Sequence, residues 1–151
     1  MAIVLDYDSN VEVAEADAYF STRLGSEPWF SSDEGTKDSA LVTATHMFEE
    51  LEWAGTPISV DQALAFPRRI VGYTEVTPIR YKRAIMEQAL HILVNPELLE
   101  DSGSVEDLSV GPIRLTTIRA PKRFPDYVLK LISPFIATSG ISEAGTWWRA
   151  N

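Results

Sequence analysis

The apolar positions of the chain predict α-helices over much of its first hundred residues. Between Thr36 and Leu51 they recur every three or four residues and so lie on one helix face; they are Ala40, Leu41, Ala44, Met47, Phe48 and Leu51. A second stripe follows Thr77-Pro78, an N-cap candidate with proline at the first helical position, and continues to about Val94; its members are Tyr81, Ala84, Ile85, Ala89, Ile92 and Leu93. The residues between them are expected on a solvated face: Arg80, Lys82, Arg83 and Glu87.

Three shorter segments also carry helix signals. Good helix formers from about residue 12 to 24, closed by Gly25, predict the first helix of the chain. Residues 59–62 (SVDQ) match a capping box, serine with glutamine three residues on, and predict a short helix that Pro67 stops. A final helix is predicted from about residue 126 to 135.

The remaining segments predict loops, one small β element and a tail. Residues 25–35 form a polar loop, in which Trp29-Phe30 is expected to pack onto the core. Near residues 105–119 the period changes, which predicts two short strands and a hairpin-like turn. Residues 138–151 have no periodicity. The pattern therefore predicts a mostly-α fold, a small helical bundle of about four main helices in a single domain at residues 1–137, with an extended C-terminal tail.

Composition adds that the chain is one globular domain with an uneven charge. It has 151 residues, 45% of them hydrophobic, no Cys, and a net charge of −9. Residues 1–66 hold two basic and thirteen acidic residues, a net charge of −11, whereas residues 67–151 carry +2. This balance disfavours a protein that wraps nucleic acid over its whole surface, because phosphate affinity comes from Lys and Arg. The start of the chain has no signal-peptide pattern and no apolar run approaches ~20 residues, so we expect a soluble intracellular protein without a membrane partner.

No pattern of catalytic chemistry is present in the sequence. Dinucleotide, phosphate-loop, serine-hydrolase and zinc-protease signatures are absent, and the two histidines, His46 and His91, are far apart without a Cys to complete a zinc set. Acidic residues at the end of the second long helix, Glu49, Glu50 and Glu52, are expected to form a solvated surface. We therefore expect no catalytic residues, no cofactor, no metal and no enzymatic activity.

The basic clusters leave two interpretations open. These clusters are Arg68-Arg69, Arg80-Lys82-Arg83 and Arg119-Lys122-Arg123. They could contact phosphates, with Tyr73, Tyr81 and Phe124 near enough in sequence to stack on bases. Alternatively they pair with the acidic N-terminal half, within the molecule or across a subunit boundary. The opposite charges of the two halves favour this second interpretation.

Several motifs together resemble a family of bacteriophage proteins. Residues 11–20 (VEVAEADAYF) are similar to the opening of proteins labelled DnaT-like single-stranded-DNA-binding proteins, and the most specific match is residues 62–68 (QALAFPR). Further matches follow in order along residues 9–137: Trp29, Lys37, Ala40-Leu41, Ala44-Thr45, Trp53-x-Gly55, Pro78, Ala84, Glu87-Gln88-Ala89 and Val110-Gly111. Two positions depart from the family pattern, since Glu12 replaces a serine N-cap and Phe66 replaces a tryptophan.

The resemblance implies a role in the virion. Members of this size look like head–tail connector (adaptor) proteins in the neck at the portal vertex, which assemble in the host cytoplasm. Their expected partners are the portal protein, tail or neck proteins and further copies of the chain in a ring, expected to be dodecameric, through which genomic DNA passes without specific binding. The family label implies single-stranded-DNA binding instead. The acidic balance favours the connector, because an acidic wall repels phosphate and lets DNA slide.

Two sets of contacts follow from the connector hypothesis. Trp147, Trp148 and Arg149 of the tail are expected to dock on the portal or a neighbouring subunit, since Trp and Arg dominate interface energetics. Contacts between subunits are expected to join basic residues to acidic ones: Arg68, Arg69 and Arg83 to Glu49, Glu50 and Glu52.

Overall fold

The two periodic stripes form the two longest helices of the structure, a computed structural model that describes residues 2–100, 109–110, 113–114 and 121–137. The helices are α1 (Val13–Phe20), α2 (Glu27–Phe30), α3 (Glu34–Glu49), α4 (Ile79–Val94) and α5 (Asp126–Ile132), with 3-10 turns at Pro96–Leu99 and Ser133–Phe135. The strands are β1 (Thr56–Pro57), β2 (Arg68–Arg69), β3 (Ser109–Val110) and β4 (Ile113–Arg114). The mostly-α prediction is therefore confirmed.

Helices α3 and α4 pack against each other and carry the core. Helix α3 begins at Asp33, whose side chain accepts the Thr36 backbone N–H at 2.7 Å. Every predicted stripe position on the two helices is buried except Leu51 and Leu93, which are half-buried. Helix α5 packs on α4, and one hydrophobic cluster extends from Val11 to Phe135.

An aromatic group joins the N-terminal segment, the loop before β2 and α4. The fully buried ring of Tyr81 stacks on Phe66 with 3.9 Å between centroids and meets Trp53 edge-on at 5.2 Å. Asn10 bridges the same residues, since its amide nitrogen donates to the Phe66 carbonyl at 3.1 Å and its amide oxygen accepts from the Tyr81 hydroxyl at 3.3 Å. Phe66 thus fills its site without the indole N–H that the family's tryptophan has.

The predicted short helix after Ser59 is wrong, although its capping hydrogen bond forms. The Gln62 amide oxygen accepts the Ser59 backbone N–H at 3.1 Å, but residues 58–67 form an irregular loop. The Gln62 amide nitrogen lies 2.6, 3.1 and 3.0 Å from the carbonyl oxygens of Leu64, Ala65 and Pro67. A side chain therefore satisfies carbonyls that the backbone of a helix would use. The loop leads into β2, which pairs antiparallel with β1, a hairpin that the sequence did not predict.

Helix α1 ends at Phe20, four residues before the predicted end. Beyond it, the backbone N–H groups of Thr22 and Arg23 bond to carbonyls three residues back, a tighter turn than the α-helix. The Ser26 hydroxyl then bonds the carbonyl oxygens of Phe20 and Arg23, both at 2.9 Å. These side-chain bonds close the helix before Gly25.

The predicted loop at residues 25–35 contains the one-turn helix α2. Trp29 is fully buried, as predicted, and its indole N–H donates to Asp17 at 2.7 Å. The Asp17 carboxylate also pairs with the buried Lys37 of α3 at 3.0 Å. Phe30 contradicts the prediction, because about half of its surface is exposed to solvent.

The C-terminal elements follow the predicted order. Helix α5 gives way to a 3-10 turn at Pro134, and strands β3 and β4 pair antiparallel within the predicted hairpin. The other residues of the hairpin and residues 138–151, including Trp147, Trp148 and Arg149, lie outside the described residues. Across the described part of the chain, the helices are too short or too polar to cross a bilayer.

Candidate nucleic-acid interface

A polar stripe on α4 borders α5. Arg80, Arg83 and Glu87 are three and four residues apart, which places them on one face of the helix. Arg80 reaches α5 directly, because its guanidinium donates to the Lys130 carbonyl at 2.9 Å. The expectation that this stripe is solvated holds for Arg80 and Arg83 and is wrong for Glu87, which is 5% exposed.

Helix α5 adds an aromatic ring and a further cation next to this stripe. Tyr127 and Lys130 are three residues apart on α5, and both are exposed. The pKa of Tyr127 is raised, first by partial burial and then by the negative charge of Glu87, and the positive charge of Arg23 opposes this rise. Helix α5, which carries both side chains, therefore borders the polar stripe of α4.

Arg23 completes the group from the end of α1. Its Nε donates to Glu87 Oε1 at 2.6 Å, and its side chain is 30% exposed. Burial opposes the charge of Arg23, but the hydrogen bond and charge of Glu87 outweigh it and raise the pKa of the guanidinium. The Tyr19 hydroxyl donates to the same Glu87 oxygen at 2.7 Å; burial, followed by this bond and charge, raises the pKa of Tyr19 to about 12.

We call this group the α4–α5 face, defined by Arg23, Arg80, Arg83, Glu87, Tyr127 and Lys130. Its four cations and one carboxylate give a local charge of +3 on a chain whose net charge is −9. The stripe from Arg80 to Glu87 is about 10 Å long at 1.5 Å per residue. Guanidinium groups bind phosphate oxygens, and an exposed phenol ring can stack on a base. The face therefore has both components that a single nucleic-acid strand requires.

The aromatic residues that the sequence suggested for base stacking are used differently. Tyr81 is fully buried, and Phe124 stacks on Phe48 at 5.8 Å. Tyr73 is 41% exposed and packs edge-on against Phe135. The exposed ring of the α4–α5 face belongs to Tyr127, which the sequence reasoning missed; its three-residue spacing from Lys130 was the available signal.

The residues predicted at subunit contacts fall into two groups. Arg68 and Glu49 make hydrogen bonds within the chain that hold the loop after Gln62. The Arg68 guanidinium donates to the Ala54 and Gly55 carbonyls at 3.0 and 2.9 Å. The Glu49 carboxylate accepts the Ala65 backbone N–H at 2.9 Å. Glu50 pairs with Arg123 at 2.5 Å on the surface. The other three, Arg69, Arg83 and Glu52, are exposed. Their role between subunits stays a prediction.

Ion pairs within the molecule use part of the basic charge. Lys82 pairs with Glu15 at 3.2 Å, and Arg123 pairs with Glu50, so two members of the basic clusters contact the acidic N-terminal half. Surface pairs of this kind contribute little stability, but they remove cations from possible phosphate contacts. In the described residues, Arg83 makes no comparable pair. No group of three potential metal ligands occurs among the residues that the structure describes.

Comparisons with known proteins identify a family. A search of curated proteins and a search of solved structures each gave no match. The family described as "Putative DnaT-like ssDNA binding protein" matches residues 2–143, which include all of the described residues. The chain therefore belongs to the DnaT-like ssDNA binding protein family.

Proposed function

We propose that the protein binds single-stranded DNA on the α4–α5 face. The observation that carries the proposal is that Arg80 and Arg83 share one face of α4, Arg23 is bonded to Glu87 on that face, and α5, which carries the exposed Tyr127 and Lys130, packs beside it. Membership in a family described as ssDNA binding supports the same ligand. The net charge of −9 weakens the protein's long-range attraction for DNA, so binding depends on this local cationic surface and on low salt.

The test measures binding of a fluorescent oligothymidylate of about 20 nucleotides, longer than the ~4–16 nucleotides that a single binding domain usually covers. Titrations at several salt concentrations give the slope of log K against log salt. Each lost phosphate contact should reduce the slope by about 0.7 for a single strand. Arg83→Ala should reduce it by that amount, and the double variant with Arg80→Ala by about twice as much.

Arg123→Ala is the matched control, because it removes the same charge from the pair with Glu50 outside the α4–α5 face. It should leave the slope close to that of the unmodified protein. Tyr127→Ala should weaken binding by ~1–3 kcal/mol with little change in slope, since stacking is not an ionic contact. Equal effects of Arg83→Ala and Arg123→Ala would contradict binding at this face.

We propose the head–tail connector as a second candidate function. The observation that favours it is a set of apolar side chains exposed on the loops around β2, where Val60 and Val71 are each 98% exposed. Nearly full exposure of two large apolar side chains agrees with loops that another protein covers on assembly. The acidic N-terminal half agrees with a wall along which DNA slides.

The connector predicts attachment to purified portal rings and a ring of this protein in images of purified virions. Deleting residues 140–151 should abolish attachment if Trp147, Trp148 and Arg149 make the contact, and unchanged attachment would contradict that role. Reversing the charge of Arg69 should block ring assembly, and reversing Glu52 in the same chain should restore it if the two residues pair between subunits. The oligothymidylate titration separates the two functions, because a connector without DNA affinity gives no salt-dependent binding.

A further inference from the structure

The carboxylate of Glu87 is unexpected in a surface that binds phosphate. Its side chain is 6% exposed and it lies among the cations of the α4–α5 face. Oε1 accepts two hydrogen bonds, from Arg23 and Tyr19, whereas Oε2 is buried without a hydrogen-bond partner. A negative charge in this position repels DNA, and a buried oxygen without a partner costs stability. Another interaction of Glu87 must therefore offset these two unfavourable effects.

The contacts of Arg23 show what Glu87 provides, because Glu87 helps to fix the position of the Arg23 guanidinium. Nε is bonded to Glu87 at 2.6 Å, and one terminal nitrogen, Nη1, donates to the Leu24 carbonyl at 2.8 Å. These bonds fix the plane of the guanidinium from two sides. In the described part of the chain, the other terminal nitrogen, Nη2, makes no hydrogen bond, and it carries two N–H donors. Because the side chain is partly exposed, these donors are available to a phosphate oxygen.

Glu87 also relates Arg23 to Arg83. Arg83 is one helical turn before Glu87 on the same face of α4, so its side chain starts beside the residue that holds Arg23. The pKa of Tyr19 is raised by burial and by Glu87, and the positive charges of Arg23 and Arg83 both act against this rise, which agrees with their positions next to Glu87 in the fold. A long arginine side chain loses conformational freedom when it binds, and fixing it in advance reduces that cost.

We propose that Glu87 is a positioning residue, which holds Arg23 so that Arg23 and Arg83 form one subsite for a DNA phosphate. The proposal rests on the proposed single-stranded-DNA binding at the α4–α5 face. It assigns the residues of a single phosphate position within that face. It also explains why a carboxylate lies at the centre of the face.

The sign of one substitution tests the proposal. Electrostatics alone predicts that Glu87→Ala tightens DNA binding, because a negative charge near the phosphates is removed. Positioning predicts the opposite, since Arg23 loses its anchor and one ionic contact with it. One contact is worth about eightfold in affinity at about 50 mM salt, and the slope of log K against log salt should fall by about 0.7.

Glu15→Ala is the matched control. Glu15 also joins α1 to α4, through Lys82, so its removal changes the charge by the same amount and breaks a comparable link. This variant should bind DNA slightly more tightly than the unmodified protein, because Lys82 is released. Glu87→Gln, which keeps the size of the side chain and an acceptor for Arg23, should retain most of the affinity. If Glu87→Ala fails to fold by circular dichroism, Arg23→Ala replaces it; the slope should then fall by about 0.7, and an unchanged slope would overturn the subsite.

The outcomes distinguish the two levels of the hypothesis. No salt-dependent binding of oligothymidylate by the unmodified protein overturns both the proposed function and the subsite. Binding by the unmodified protein with unchanged or tighter binding by folded Glu87→Ala overturns the positioning role alone. In an Arg23→Ala background, Glu87→Ala should cause no further loss of slope; a further loss would also overturn it.

Discussion

Gly55 should be the most sensitive glycine in the described residues, because a side chain there has no room. Gly55 has φ +75°, and a Cβ at this position would overlap the Arg69 carbonyl oxygen and lie 2.9 Å from the carbonyl carbon. In Gly55→Ala the left-handed conformation costs about 1–2 kcal/mol. Relieving the overlap also separates β1 from β2 and weakens the bonds from Arg68 to the Ala54 and Gly55 carbonyls. Hydrogen bonds to a charged group contribute ~1.5–3 kcal/mol each. Weakening the two bonds by the equivalent of one, together with the conformational cost, gives an expected total loss of about 3–5 kcal/mol.

Gly72→Ala provides the matched comparison, because Gly72 has φ +88° but a methyl group added there would meet no atom within 4 Å. It should cost only the conformational term of about 1–2 kcal/mol. Urea denaturation followed by far-UV circular dichroism gives both free energies of unfolding. Equal losses in the two variants would refute the close approach of Gly55 to Arg69.

Three further predictions concern the loop, the core and the α1–α4 contact. Gln62→Glu keeps the side-chain size but removes the N–H donors that three carbonyls use, so it should lower the free energy of unfolding by ~1–3 kcal/mol. Gln62→Ala should have a similar effect. A Gln62→Glu protein with unchanged stability in urea denaturation would contradict this role. Phe66→Trp places a larger ring in a fully buried site and should cost about 1–3 kcal/mol in the same assay, although the family pattern has tryptophan there; an unchanged midpoint would show spare volume. Because the pKa of Tyr19 is about 12 in the folded protein against 10 when unfolded, the free energy of unfolding should fall as pH rises from 10 to 12. Tyr19→Phe should reduce that fall, and an identical pH profile in this variant would exclude Tyr19 as its source.

The sequence predicted the elements whose signal is local. The stripes of α3 and α4 repeat at the helical period over four turns, and their members are buried as predicted. Local signals failed where a distant side chain determines the outcome. The pattern of α4 alone predicted that Glu87 is solvated. Its burial is possible because Arg23, 64 residues away in the sequence, bonds to its carboxylate. The capping box at Ser59 forms its hydrogen bond, and Gln62 then directs the backbone into a loop.

The candidate site was less predictable than the fold for the same reason. The cluster at residues 80–83 was visible in the sequence as a run of basic residues. Its ability to bind phosphate depends on which of its cations are already paired within the molecule. Lys82 is paired with Glu15, whereas Arg83 is exposed. Tyr127 joins the face only through the packing of α5 on α4, and Arg23 joins it only through its hydrogen bond to Glu87. No periodicity within either segment contains that information.

Residues 62–68 carry the most specific part of the sequence resemblance to the family, and the contacts described for Gln62, Phe66 and Arg68 are internal. Gln62 holds the loop carbonyls, Phe66 packs between Trp53 and Tyr81, and Arg68 bonds the backbone near Gly55. Similarity to the family in this segment therefore indicates a shared fold. Two members that share this segment can differ completely in the surfaces of α4 and α5. Activity within the family therefore has to be assigned separately for each member, from the residues on its own surface.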